Sequence, residues 1–449
     1  MRVITGPATT HRRPARVSAA LVALAVLLTA TACVGRTSST TADDGSRIIR
    51  FLHSQPTGTF AEAIKLFEAR HPGVRVEEQP VPFDDLNAQV QARVGAQDSS
   101  IDVFAADPPR VPSQASRGFL VDVSDDAEAI RQGVVGPALD SVSWGGKVWA
   151  YPLWTSSSFL FYNRDLLAKA GVRPPGPAAA DRLTWEQVAE QGRAAQRAGA
   201  RYGFGFDQVD RYFQLQPLLA SAGAGDGLTG PDGLTPDVDN AGWKRVMDWY
   251  AGLHSSRLSP RGIDPQQMPD VFSSGQLAYF VGGPGRIGQF TKAEGLNWGI
   301  APHPYFAGGK QVTPTDSWAV GVSAYSAHPK DAREFARFLS LDSAGALATT
   351  GKQTLPPANK VAYERYVQQT VSNGGDSVKG FKELLSHELD TTAHHRPRSV
   401  GYVDFETTIN KTFSDIRNGA DVPEALRAAQ DRLGGLLQRY RDLEPSEGP

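Results

Sequence analysis

The chain has a single cysteine, Cys33, which lies at the end of an apolar N-terminal segment. A lone thiol provides neither a disulfide framework nor a thiolate metal cluster, so the fold has to be stabilised by a buried apolar core. Residues 1–16 are basic and contain no acidic side chain, and residues 17–32 are mostly small and aliphatic. The apolar run is shorter than the roughly 20 residues that span a bilayer. This combination is typical of a cleaved signal peptide, here residues 1–32.

The end of this leader also carries a modification signal. The segment Ala30-Thr31-Ala32-Cys33 resembles the lipobox of bacterial lipoproteins, with Ala30 where that motif usually has leucine. The resemblance implies that the mature protein begins at Cys33, carries acyl chains on that thiol, and is anchored to the cell membrane on its extracytoplasmic side. An ordinary cleaved signal followed by a stray cysteine is the alternative. Residues 33–46 are rich in Ser, Thr, Gly and Asp, which predicts a flexible tether.

Charge and length limit the remaining possibilities. The chain has 46 Lys and Arg against 48 Asp and Glu, a net charge of −2, and loss of the leader removes only positive charge. A mildly acidic protein is not expected to bind nucleic acid, which requires a basic surface. A chain of 449 residues is too long for one ordinary hydrophobic core, so two lobes or domains are expected.

Hydrophobic periodicity switches between strand and helix from residue 47 onward. Apolar strand patterns at 47–53, 74–76 and 101–105 are separated by helical patterns at 59–70 and 83–94. This β-α-β-α-β order predicts a mostly parallel sheet covered by helices. Elsewhere we predict a helix at 185–198 with Thr184 as its N-cap, a mostly helical chain beyond residue 357, a disordered tail at 443–449, and strands at 147–152, 158–163, 277–281 and 318–322.

Several segments, in order, resemble the extracellular solute-binding proteins (family 1) of bacterial carbohydrate ABC importers, the group that includes maltose-binding protein. The most specific is Gly145-Gly146-Lys147-Val148-Trp149-Ala150-Tyr151-Pro152 followed by Phe161-Tyr162-Asn163-Arg164-Asp165-Leu166-Leu167, which is similar to the family's "G-K-x-Y-x-L-P … Y-Y-N-K-D-L-F" block. The others are residues 67–74, 101–104 with 118–123, and 272–278. The resemblance extends over residues 47–440.

The resemblance implies an α/β fold of type II (Venus-flytrap), with two lobes joined by hinge crossings. The N-terminal lobe would comprise 47–153 and 315–341, and the C-terminal lobe 154–314 and 342–442. Crossings are expected near residues 152–154, 304–315 and 341. The implied function is capture of a sugar or oligosaccharide between the lobes and delivery, unchanged, to ABC permease subunits in the membrane. No enzymatic activity, cofactor or metal is implied, and the protein is expected to be a monomer.

Sugars have apolar ring faces and a rim of hydroxyl groups, so a sugar site needs aromatic rings beside carboxylates and Arg forks. Loops at predicted strand ends supply such side chains. The candidate ligand-binding residues are Ser54, Gln55, Asp107, Trp154, Ser156, Asp207, Tyr212, Gly283, Arg286, Asp316, Trp318, Arg398 and Tyr402.

Several candidates have a structural alternative. Asp107, before Pro108 and Pro109, is also typical of a turn or helix cap. Trp154 and Trp318 are candidates for core packing as well as for stacking. Asp207 and Tyr212 fit a solvated loop nearly as well. Arg398 and Tyr402, in the segment 396–404, are equally suited to the start of a helix.

Other readings of the sequence are weaker. Residues 283–288 match the G-x-G-x-x-G pattern, but they lie deep in the chain without the acidic residue that a nucleotide fold needs, so a turn facing the cleft is favoured. His387, Glu388, His394 and His395 lack metal-ligand spacing. Two alternative functions stay open: a receptor for an amino sugar or a glycerophosphodiester, suggested by Arg286 and Arg398, and an exported glycan-cleaving enzyme using paired carboxylates.

Overall fold

The structure is a computed structural model that describes residues 40–136, 138–351 and 355–441. The predicted signal peptide, Cys33 and the predicted tail at 443–449 lie outside the described residues. Of the predicted tether, residues 40–46 are described: the Ile48 N–H donates to Thr40 O (2.9 Å) and His328 Nε2 lies 2.9 Å from the same oxygen. Residues 40–46 are therefore part of the folded body and not of a free tether, because this segment pairs with the first strand and the His328 loop.

Strands and helices follow the alternation that the sequence predicts. The strands are β1 Arg47–His53, β2 Val74–Pro80, β3 Val103–Ala106, β4 Ser143–Trp144, β5 Lys147–Val148, β6 Tyr151–Pro152, β7 Phe159–Asn163, β8 Tyr202–Phe206, β9 Leu228–Thr229, β10 Thr235–Pro236, β11 Leu277–Gly282, β12 Trp298–Pro302, β13 Thr313–Pro314, β14 Ala319–Val322 and β15 Ala393–His394. The helices are α1 Ala61–Arg70, α2 Phe83–Arg93, α3 Val111–Ser116, α4 Ala127–Gly133, α5 Ala138–Ser141, α6 Arg164–Lys169, α7 Trp185–Arg197, α8 Tyr212–Ser221, α9 Ala241–Ser255, α10 Met268–Ser273, α11 Ile287–Lys292, α12 Pro329–Leu341, α13 Ser343–Ala348, α14 Lys360–Gly374, α15 Phe381–His387, α16 Tyr402–Asn418 and α17 Val422–Gln438.

The first sheet has the order β2-β1-β3-β14-β6. β1 is parallel to β2 and β3, whereas β14 runs antiparallel to β3 and to β6. The parallel half is the predicted β-α-β-α-β unit, and α1 and α2 are its crossover helices. Its core packs Phe51 against Phe60 and Phe335, with ring centroids 4.8 and 5.7 Å apart.

The second sheet has the order β12-β7-β11-β8 and is buried on both faces. Strand β7 shows why: Leu160 and Tyr162 point into one apolar cluster, and Phe159 and Phe161 point into another. Side chains alternate along a strand, so a continuous apolar run fills two cores at once. Helix α7 covers one face, and Thr184 caps its N-terminus with a hydroxyl that accepts the Gln187 N–H at 3.2 Å. The predicted N-cap is confirmed.

In the described part of the chain, the segments that connect the two sheets lie side by side in three places. The Leu153 N–H donates to Trp318 O at 2.9 Å, and the Thr155 N–H donates to Pro356 O at 2.8 Å. Helix α13 packs on α1 and α12, so it belongs with the first sheet. We therefore propose that the crossing expected near residue 341 lies near residues 355–358, and that the lobe boundary expected at 342 moves with it. The reason is that α12 and α13 form one packed pair.

In the part of the chain that the structure describes, no helix has an apolar stretch of membrane-spanning length.

Candidate binding cleft

A cleft of about 1430 Å³ opens between the two sheets. Its walls come from the segments that follow β1, β3, β8 and β11, at the carboxyl ends of parallel strands. In open α/β sheets, this edge is where ligands bind, because backbone and side-chain polar groups there are not used by the sheet. The hinge crossings form the floor of the cleft.

The structure brings most of the predicted site residues together along this cleft. They come from both lobes and from the hinge, and they are Ser54, Gln55, Asp107, Ser156, Asp207, Gly283, Arg286, Asp316 and Trp318. The G-x-G-x-x-G segment contributes Gly283, Gly285 and Arg286 to the wall, after β11 and not at the start of a nucleotide-binding unit.

Trp154 does not line the cleft. Its ring is buried in the first-lobe core, stacked on Phe60 with centroids 5.8 Å apart and planes 12° apart. Its Nε1–H donates to Thr349 Oγ1 at 2.8 Å, so its polar atom is satisfied inside the protein. The expectation of a stacking platform is wrong, because the hinge strand turns this side chain toward α1 and α13.

Two tyrosines and one arginine also lie away from the cleft. Tyr212 and Tyr402 are buried in the second-lobe core, where the Tyr212 hydroxyl donates to Asp226 O (2.6 Å) and the Tyr402 hydroxyl donates to Glu406 Oε1 (3.2 Å). Tyr402 opens α16 on the same face as Phe405 and Ile409, and that face is packed inward. Arg398 points outward and donates to the carbonyl of Asp140. These three are not placed to contact a ligand.

A buried ionic network joins the lobes at one end of the cleft. Arg396 makes a bidentate pair with Asp107, at 2.9 Å and 2.5 Å, and Arg110 pairs with Glu406 at 2.6 Å. Asp107 and Arg110 follow β3 in the first lobe, whereas Glu406 is on α16 in the second. The sequence alone does not single out Arg110, Arg396 or Glu406, although Arg396 lies only two residues from the predicted site residue Arg398.

The charges in this network depend on one another. Burial raises the pKa of Asp107, and the guanidinium groups of Arg396 and Arg110 oppose that rise. Burial also acts to raise the pKa of Glu406, but Arg110 and Arg396 outweigh it, so the pKa of Glu406 is lowered. The two carboxylates therefore need both arginines to stay ionised out of water.

Asp316 fixes the hinge beside this network. It has a φ of +67°, a conformation that non-glycine residues seldom adopt. Its carboxylate lies 2.5 Å from His395 Nδ1 and accepts the Arg396 N–H at 3.3 Å. The expected site residue Asp316 is thus committed mainly to positioning the segment that carries Arg396.

The mouth of the cleft is lined by an aromatic pair. Phe83, at the start of α2, is 43% exposed and meets Trp318 edge-on, with centroids 6.0 Å apart. Arg211 reaches over from the second lobe to within 5.9 Å of the Phe83 ring centre and pairs with Asp84 at 3.1 Å. Phe83 is not among the predicted ligand-binding residues. A large apolar ring at the solvent-facing start of a helix is nevertheless a sequence signal for a binding surface.

The histidines considered as metal ligands have other partners. His394 Nε2 lies 2.9 Å from Asp226 Oδ1, His395 pairs with Asp316, and Glu388 forms a fully buried pair with Arg182 at 2.8 Å. Within the described ranges, no group of three His, Cys, Asp or Glu side chains is arranged to hold a metal ion.

Two α/β lobes, joined by adjacent crossings and separated by a polar cleft, define a binding protein of the type II class, as the sequence resemblance implies. The chain belongs to the family of bacterial extracellular solute-binding proteins, whose family model matches residues 53–346.

Curated relatives match most of the chain. It is 22% identical to the mannitol-binding protein of Pseudomonas aeruginosa over 402 residues, which is 84% of this chain and 89% of the relative. It is 25% identical to the maltodextrin-binding protein MdxE of Bacillus subtilis over 362 residues, 78% of this chain and 82% of the relative.

Solved structures share the fold. The ABC substrate-binding protein Lmo0181 of Listeria monocytogenes, in complex with cycloalternan, has a TM-score of 0.75 at 19% identity and covers 87% of this chain and 99% of its own. The GacH receptor of Streptomyces glaucescens, solved unliganded and with acarbose, has a TM-score of 0.70 at 23% identity and covers 90% and 99%.

Proposed function

We propose that this protein is the substrate-binding component of an ABC importer, and that it captures a neutral sugar or oligosaccharide in the cleft without altering it. The observation that carries the proposal is the charge pattern of the cleft, where aromatic rings lie beside carboxylate–arginine pairs. Such pairs offer hydrogen bonds to hydroxyl groups while the pair as a whole stays neutral.

The cleft has six cationic side chains among its described lining residues. Each one has a carboxylate within salt-bridge distance: the pairs are Arg110–Glu406, Arg211–Asp84, Arg286–Asp207, Arg396–Asp107, Lys411–Asp415 and Arg417–Asp210. A phosphate would have to displace one of these carboxylates. The pattern therefore favours a neutral ligand over the glycerophosphodiester alternative.

An amino sugar is also less favoured. Of the acidic side chains that line the cleft outside those pairs, Asp316 faces His395 and the Arg396 N–H, and Asp264 caps a short helical turn by accepting the Gln266 N–H at 2.9 Å. A cationic ligand would need a carboxylate that is free to face it, and among these two only the exposed Asp264 offers one, through its second oxygen.

The relatives support a sugar or polyol. Their names specify mannitol and maltodextrin, and the structures with the same fold hold cycloalternan and acarbose. A cleft of about 1430 Å³ is large enough for more than one sugar ring. Together with the leader motif, this supports a lipid anchor at Cys33, an extracytoplasmic location, and transfer of the ligand to membrane permease subunits.

A thermal-shift screen tests this proposal. Mannitol, maltose, maltotriose and larger maltodextrins are added to the mature protein at millimolar concentration, with glucosamine and glycerophosphocholine as charged comparisons. A ligand that binds only the folded state raises the melting temperature by mass action. We expect a rise with at least one neutral compound and none with the charged ones. A rise with a charged compound alone would contradict the proposal.

Phe83 is expected to act as a stacking surface for the sugar. The Phe83→Ala variant should weaken binding of the best neutral compound by about tenfold, because a lost aromatic contact costs about 1 kcal/mol or somewhat more. Calorimetric titration measures the change. Val361→Ala is the matched control, since Val361 is a 54% exposed apolar residue on α14 outside the cleft. The affinity of this variant for the same compound should be unchanged. Equal affinities for Phe83→Ala and wild type would remove Phe83 from the site.

A further inference from the structure

Asp207 and Arg286 form a preassembled pair on the second-lobe wall of the cleft. Arg286 Nε–H donates to both carboxylate oxygens of Asp207, at 2.9 and 3.1 Å, and Nη2 lies 2.9 Å from Oδ1. Asp207 directly follows β8, and Arg286 lies in the turn after β11, the parallel neighbour of β8. Adjacent strands therefore bring both side chains to the same edge of the sheet.

The carboxylate is held in place from behind. The Asp207 N–H donates to Val281 O at 2.8 Å, and a Cβ on Gly282 would lie 2.6 Å from Phe280 Cε1 and 3.1 Å from Asp207 Cβ. Glycine at 282 thus leaves room for both side chains. The Asp207 side chain is almost fully buried, whereas 32% of the Arg286 side chain is exposed. Burial raises the pKa of Asp207, and Arg286 opposes the rise, so the carboxylate owes its charge to this one arginine.

The remaining face of the guanidinium is open to the cleft. Asp207 engages Nε and Nη2, and among the described residues none accepts a hydrogen bond from Nη1. Those N–H groups can donate to a hydroxyl oxygen of a ligand. Because the buried carboxylate cancels the arginine charge at short range, an anion gains little from the same donors.

We propose that Arg286 is a specificity-determining residue that donates to the sugar hydroxyls, and that Asp207 sets the charge that the cleft accepts by neutralising it. This inference rests on the proposed function, and it names how that site separates neutral from anionic solutes. Removing the charge of Asp207 would convert the guanidinium group of Arg286 into an anion-binding site.

Binding of inorganic phosphate to Asp207→Asn tests the inference. Asparagine keeps the shape of the side chain and removes its charge, so Arg286 becomes an uncompensated cation. Titration calorimetry at low ionic strength should show phosphate binding at least about tenfold tighter than to wild type, in line with the strength of charge-assisted hydrogen bonds. The double variant Asp207→Asn with Arg286→Met should lose this gain.

Glu128→Gln is the matched control. It changes the net charge by the same amount and frees Arg131, but the Glu128 side chain is 63% exposed and lies outside the cleft, where water screens the charge. The phosphate affinity of this variant should equal that of wild type. Equal phosphate binding by Asp207→Asn and Glu128→Gln, or a gain that persists without Arg286, would overturn the inference.

A second variant covers the case in which Asp207→Asn does not fold. Arg286→Gln should weaken binding of the neutral sugar found in the screen by about tenfold. It also leaves the buried Asp207 carboxylate without its cation, so the melting temperature of the free protein should fall, and affinity is measured at a temperature where the variant is folded. Unchanged sugar affinity in Arg286→Gln would overturn the role of Arg286. The wild-type screen is read separately: sugar binding by wild type with a failed phosphate or Arg286→Gln result rejects this inference alone, whereas no neutral binding rejects the proposed function.

Discussion

Replacing Arg396 with methionine should lower the free energy of unfolding by about 3 kcal/mol or more, because Arg110 is then the one close cation that the described residues leave to the buried Asp107 and Glu406. Truncating one member of a buried ionic network leaves its partner charged and away from water. The desolvation free energy of that partner is then no longer offset by an ion pair. Urea unfolding at neutral pH measures the change.

The control for this prediction is an exposed ion pair. Arg131 and Glu128 are 61% and 63% exposed, so Arg131→Met should change stability by less than about 0.5 kcal/mol. The double variant Asp107→Asn with Arg396→Met should lose less than the sum of the two single changes, since the residues act as a pair. An Arg396→Met protein as stable as Arg131→Met would show that the network does not bind the lobes together.

Replacing Trp154 with alanine should cost about 3–5 kcal/mol of stability, as for other large-to-small changes of buried aromatic residues. The variant removes the stack on Phe60 and leaves the Thr349 hydroxyl without the indole donor. Affinity of the folded protein for its neutral sugar should stay within about threefold of wild type, because the ring does not line the cleft. Denaturant unfolding and calorimetric titration are run on the same preparation.

Phe83→Ala provides the opposite pattern, with weaker binding and little loss of stability. If Trp154→Ala instead lost about tenfold in affinity with unchanged stability, the ring would be a stacking platform, as its polar sequence context predicts.

The local sequence predicts the fold well where periodicity decides it. The β-α-β-α-β pattern after residue 47 gives the parallel half of the first sheet, and the apolar run at 158–163 gives the strand β7. Thr184, with Gln187 three residues later, is a local capping signal. Such a signal can be predicted from the sequence because both partners are near each other in the chain.

The same reasoning fails where the partner is distant. Trp154 precedes a run of Ser and Thr that resembles an exposed loop, yet Thr155 and Ser156–158 are buried because the crossings lie against one another at the hinge. The pairs Asp107–Arg396 and Arg110–Glu406 join residues 289 and 296 positions apart. No pattern in a single sequence shows such pairs, so the sequence does not distinguish the buried Arg396 from the outward-facing Arg398.

The central claim is tested most directly by calorimetric titration of the mature protein with the neutral sugar that the thermal screen selects. The sugar is then recovered from the calorimeter cell and analysed chemically. The account predicts saturable heat with about one site per chain, an affinity near micromolar, about −8 kcal/mol, and recovery of the sugar unchanged. Appearance of cleaved or modified sugar, or absence of heat with every neutral compound in the panel, would contradict it.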